Sequence, residues 1–67
     1  MKFQEKSVLP KAQIFQKIRE AVDAMEAGTF TVANQAVVFP EAAEIEFELK
    51  HKGNKREVEI EIKWYDS

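Results

Sequence analysis

Two segments near the C-terminus alternate apolar and charged residues with a strict period of two, and they meet across a glycine. Ile45, Phe47 and Leu49 alternate with Glu44, Glu46, Glu48 and Lys50, while Val58, Ile60, Ile62 and Trp64 alternate with Glu57, Glu59, Glu61 and Lys63. That period belongs to strands with one apolar and one polar face. Gly53-Asn54 between them suits a two-residue type II′ turn with glycine first. Such a turn sets Leu49 opposite Val58, Phe47 opposite Ile60, Ile45 opposite Ile62 and Ala43 opposite Trp64. It also sets Lys50 opposite Glu57 and Glu44 opposite Lys63, both favourable pairs. A one-residue slip would scatter the apolar side chains over both faces, so the pattern specifies the register.

Upstream, the period is that of a helix. Ile14, Ile18, Val22 and Met25 recur at i, i+4, i+8 and i+11, with Phe15 and Ala21 widening the stripe. Pro10 fits the first helical position, preceded by Leu9 as a poor cap, and Gly28 fits a left-handed stop. After Gly28, Thr29 to Ala33 and Ala36 to Phe39 read as short strands around Asn34-Gln35. That turn pairs Val32 with Val37 and Phe30 with Phe39. Pro40 ends the second of them. Lys2 to Val8 reads as a further short strand with Phe3 as its clearest apolar residue.

The order β-α-β-β-β-β predicts an α+β fold in which one helix packs on one face of a five-stranded, mainly antiparallel sheet. Its spatial order is 1-5-4-3-2, and the chain, residues 1–67, forms a single domain. The helix covers the apolar face, and the alternation leaves the other face to water or a partner.

The same residues resemble a known family, the amphi-Trp domain. The acidic-apolar strand Glu57-Val58-Glu59-Ile60-Glu61-Ile62-Lys63-Trp64 carries the resemblance. It is joined by Ile18 to Gly28 as the helix end and by Glu44 to Leu49 after Pro40. The sequence departs from the family pattern at Asn34-Gln35, where glycines are expected. The resemblance implies a small, often free-standing prokaryotic protein with no assigned activity, and it brings no catalytic residues.

Composition narrows the function classes. With 67 residues the chain lies near the lower limit for an independent core, where disulfides, metals or partner subunits commonly add stability. There is no cysteine, and His51 is the single histidine, so disulfides, thiolate sites and multi-histidine zinc centres are excluded. A net charge of −2 argues against a nucleic-acid surface over the whole molecule. No apolar run reaches the roughly 20 residues that cross a bilayer, and Met1 to Lys6 lacks the apolar stretch of a signal peptide. A cytoplasmic protein is expected, with no membrane contact and no cofactor or metal.

Two surfaces could meet a partner. The acidic face offers Glu46, Glu48, Glu59 and Glu61, with Tyr65 beside them, to a basic protein or weakly to a hard cation such as Ca²⁺. Glu46 faces Glu61 and Glu48 faces Glu59, like-charge pairs that Lys2 and Lys6 of the first strand could soften. A solvated face that resists aggregation is the plainer explanation. The opposite pole is the hairpin tip, where Lys50, Lys52, Lys55 and Arg56 could contact phosphates. Stacking aromatics are missing there and the acidic ladder adjoins it, so a solvated turn is again the plainer reading. His51 lacks the partner set of a general base. Trp64 shares the parity of Ile60 and Ile62, which makes it a core anchor rather than a ligand platform.

With no enzyme constellation, the leading expectation is a non-enzymatic interaction module of unknown protein partner. It would act through the acidic face or an edge strand and could be a homodimer. Phosphate or nucleic-acid binding at residues 50–56 is the alternative.

Overall fold

In a computed structural model, which describes residues 1–66, the chain forms α1 (Lys11–Ala27), β1 (Thr31–Val32), β2 (Gln35–Ala36), β3 (Glu44–Lys52) and β4 (Lys55–Lys63). The strands form two separate two-stranded antiparallel sheets, β1-β2 and β3-β4. This corrects the expectation of one five-stranded sheet under a helix. Residues 1–10 form no strand, consistent with a segment whose apolar face would be Phe3 followed by Glu5 and Ser7. β1 and β2 are two residues each, too short to present a ladder to β3. Pro40, with no N–H, stands in the connection that would have to bring them together.

The large hairpin has the register that its alternation specifies. Leu49 faces Val58, Phe47 faces Ile60, Ile45 faces Ile62, and Glu44 faces Lys63. Gly53 has φ 56° and Asn54 has no positive φ, as a type II′ turn requires. The Ala43–Trp64 pair lies just beyond the paired residues.

The small hairpin differs from expectation. Its pairs are Thr31 with Ala36 and Val32 with Gln35, so the turn is Ala33-Asn34 and not Asn34-Gln35. Ala33 and Asn34 have φ 48° and 65°, the two positive values of a type I′ turn. Val37 N–H donates to the Phe30 carbonyl at 3.0 Å, which replaces the expected Phe30–Phe39 and Val32–Val37 pairings. The Ala33 N–H also donates to Glu5 Oε1 at 2.6 Å, fastening the N-terminal segment to this turn.

The helix begins one residue later than expected. Pro10 (φ −58°, ψ 153°) is its cap, and its carbonyl accepts from Gln13 and Ile14 N–H, both at 3.0 Å. No side chain caps this end, no acidic residue lies in the first turn and no basic residue in the last. Gly28 closes the helix at φ 74°, its N–H reaching Met25 O at 3.2 Å while Thr29 N–H reaches Ala24 O at 2.9 Å. Both bonds satisfy carbonyls that the helix end leaves open.

The largest departure concerns packing. No Cα of α1 comes within 8 Å of a Cα in β3 or β4, and Phe47, Leu49, Val58 and Ile60 stay more than half exposed, so the helix does not cover the middle of the hairpin. Among the described residues no side chain is fully buried. The halves meet at an aromatic joint: Phe30 and Phe39 have ring centroids 6.5 Å apart, and Phe39 and Trp64 5.1 Å apart, with tilted planes. Trp64 is half-buried, and the Phe39 ring lies against it. Among the described residues, no helix is long and apolar enough to cross a membrane.

Candidate functional site

In the middle of the β3-β4 ribbon, apolar side chains are more exposed than the glutamates behind them. On the apolar face, Val58 is 77% exposed, Phe47 71%, Leu49 64% and Ile60 54%. On the acidic face, Glu48, Glu57, Glu59 and Glu61 are half-buried. The acidic residues are covered by one another and by lysines of the same face. Lys50 Nζ lies 3.2 Å from Glu59 and 3.6 Å from Glu48, Lys55 Nζ 2.7 Å from Glu57, and Lys63 Nζ 3.0 Å from Glu61. Long side chains that reach these partners lay their methylenes over the sheet.

These pairs shift the groups that form them. The hydrogen bond to Glu59, followed by the charge of Glu48, raises the Lys50 ammonium above its ordinary value. Glu61 likewise raises Lys63. Hydrogen bonds from Lys55 and Lys63 hold Glu57 and Glu61 below the usual carboxylate value. The like-charge pairs Glu46–Glu61 and Glu48–Glu59 are present in the register. Lysines of the hairpin itself relieve them, in place of Lys2 and Lys6, which belong to no strand.

The residues singled out for partner contact therefore fall into two situations. Glu48, Glu59 and Glu61 are engaged in the ion-pair ladder, and Glu46 sits opposite Glu61 within it. Tyr65, past the end of β4, is fully exposed. At the basic tip, Lys50 and Lys55 are paired with glutamates. Arg56 Nη1 donates to the carbonyls of Gly53 at 2.8 Å and Lys55 at 3.0 Å, folding the guanidinium back onto the turn. Lys52 alone of the four makes no ion pair or side-chain hydrogen bond among the described residues. His51 pairs with Arg56 across the strands on the other face of the tip. Among the described residues, no group of three or more His, Asp or Glu side chains is placed to hold a metal ion.

The second apolar surface is the helix stripe. Ile14, Ile18 and Val22 remain exposed, and Ile14, Ile18 and Ala21 line an open groove against residues 5–9. Sequence reasoning found every residue of both surfaces but assigned them to each other as a core. A usable signal was present in the helix, which lacks a capping side chain and favourable end charges and thus has little to hold it by itself.

Comparison with protein-family models, curated proteins and solved structures finds no match to this chain.

Proposed function

We propose that the chain is a small, non-enzymatic interaction module of the cytoplasm, which accepts an amphipathic helix on the apolar face of its β3-β4 hairpin. The exposure of Phe47, Leu49, Val58 and Ile60 on one continuous ribbon carries this reading. Contiguous apolar surface of this kind, rimmed by polar residues, marks interaction sites. Two strands about 4.8 Å apart form a face narrow enough to lie under one helix, whose diameter is roughly 10 Å. The acidic face supports docking less well, because Glu48, Glu57, Glu59 and Glu61 are already paired with lysines. Three of the four cations at the tip are similarly occupied, which leaves phosphate binding little support. The resemblance to the amphi-Trp domain brings no catalytic residues to this chain.

Panning displayed peptides against the wild-type chain, with Phe47→Lys as the counter-selection, tests the reading. Enriched peptides should repeat apolar residues at i, i+3, i+4 and i+7 and lose binding to Phe47→Lys. Peptides that bind both chains equally, or no enrichment with a chain that is monomeric under the panning conditions, would sink it.

A further inference from the structure

Each chain carries an apolar hairpin face without a helix and an amphipathic helix without a sheet, and the aromatic joint keeps the two apart. We infer that the occupant of the hairpin face is the α1 helix of a second copy, in a twofold dimer where each helix covers the other chain's β3-β4 ribbon. This rests on the helix-accepting reading of that face and names its occupant.

Area supports a second copy. The chain exposes 6473 Å², whereas a compact monomer of 7.7 kDa exposes about 4300 Å². The excess of about 2200 Å² per chain, doubled, falls within the roughly 2,000–5,000 Å² that obligate homodimers bury. Shape agrees, since the radius of gyration is 13.7 Å with a long axis of 41 Å, against about 11 Å for a compact chain of this length.

Two observations favour exchange over closure within one chain. Phe39 lies against Trp64, just past the end of β4, with its ring tilted, and also pairs with Phe30. Gly28 fixes the helix end two residues before Phe30. Together they tie the direction of α1 to the large hairpin, in an arrangement that leaves helix and ribbon apart. Folding α1 onto its own ribbon would require a new backbone path through Gly28-Thr29, whose N–H groups are held by the Met25 and Ala24 carbonyls; docking on a second copy does not.

The faces also fit in size. The stripe from Ile14 to Met25 is about 17 Å long at 1.5 Å per residue, and the ribbon from Ile45 to Leu49 about 14 Å at 3.4 Å per residue. Pairing hairpin with hairpin would leave both helix stripes open. Pairing helix with hairpin twice, by one symmetric operation, closes all four surfaces.

Sedimentation equilibrium and solution scattering on the wild-type chain, from low micromolar to millimolar concentration, form the first arm of the test. A dimer is expected. The second arm uses the absence of native cysteine: Ile18→Cys chains and Phe47→Cys chains, each at the centre of one face, are mixed and oxidised. The mixed 18–47 disulfide should predominate over either like pair.

A dimer giving only 47–47 cross-links would overturn the exchange in favour of hairpin-on-hairpin packing. A monomer with a radius of gyration near 13.7 Å would overturn the second copy while leaving the open face for another helix. A compact monomer near the 11 Å expected for this length would overturn both readings, because the chain would have closed on itself.

Discussion

The two hairpins of this molecule both turn in two residues, yet one is written into the sequence and the other is not. β3 and β4 pair over nine residues each around Gly53-Asn54. β1 and β2 pair over two residues each around Ala33-Asn34. In the large hairpin, glycine takes the positive φ at no steric cost. In the small one an alanine takes it, at φ 48°, where a Cβ is unfavourable by about 1–2 kcal/mol. The small hairpin is held from outside instead. Glu5 accepts from the strained residue's N–H, and the Phe30–Phe39–Trp64 joint anchors its flanks. Turn chemistry and long alternation specify a register locally; without them tertiary contacts decide it.

The comparison breaks most readily at the joint. Trp64→Ala removes the Phe39 ring contact and half of a large apolar burial, and is expected to destabilise the chain by about 2 kcal/mol in urea titrations followed by circular dichroism. Cross-strand nuclear Overhauser contacts should survive in β3-β4 and vanish between Phe30 and Val37. Loss of both together would mean that the large hairpin is not self-specifying.

The turns give the next effect, with opposite signs. Gly53→Ala should cost about 1–2 kcal/mol by placing a Cβ at positive φ. Ala33→Gly should stabilise by up to about 1 kcal/mol, relief of strain being partly offset by the entropy of the freer unfolded chain. Thermal melts of the two variants under one buffer check the signs. Equal signs would undo the contrast between the turns.

The smallest effect belongs to the ion-pair ladder, which only the large hairpin has. Glu57 and Glu61 are held below their ordinary value of 4.5. Their contribution is therefore complete above that value and fades as pH falls through the lower folded one. Lys50 and Lys63 are raised above 10.5, so theirs is complete below 10.5 and fades as pH rises past the higher folded value. Melting temperature against pH should form a broad plateau with shallow losses at both ends, and added salt should flatten it. A profile unchanged by salt would remove the ladder from the account.

Much of the local structure was legible. The 3.6-residue stripe located α1, Gly28 located its end, and the alternation gave every pair from Glu44–Lys63 to Lys50–Glu57. What was not legible is how the pieces assemble. Alternation shows that Phe47 and Ile60 share a face, but it is silent on which surface covers that face, since one apolar stripe satisfies it as well as another. Four residues of β1 and β2 hold too little pattern to choose between turns at Ala33-Asn34 and Asn34-Gln35. For the candidate site, parity put the glutamates together. Their closure by Lys50, Lys55 and Lys63 depends on rotamers that a one-dimensional pattern does not contain.

The end charges of α1 run against its dipole: Lys11 opens it, Asp23 and Glu26 lie toward its close, and no favourable charge sits in either terminal turn. A short helix of this kind has little standing before it docks. The β3-β4 ribbon has its register fixed by its own turn and alternation, but a lone two-stranded hairpin is marginal in water. Helix and ribbon become durable together, so helical content in dilute solution measures how much docking has taken place.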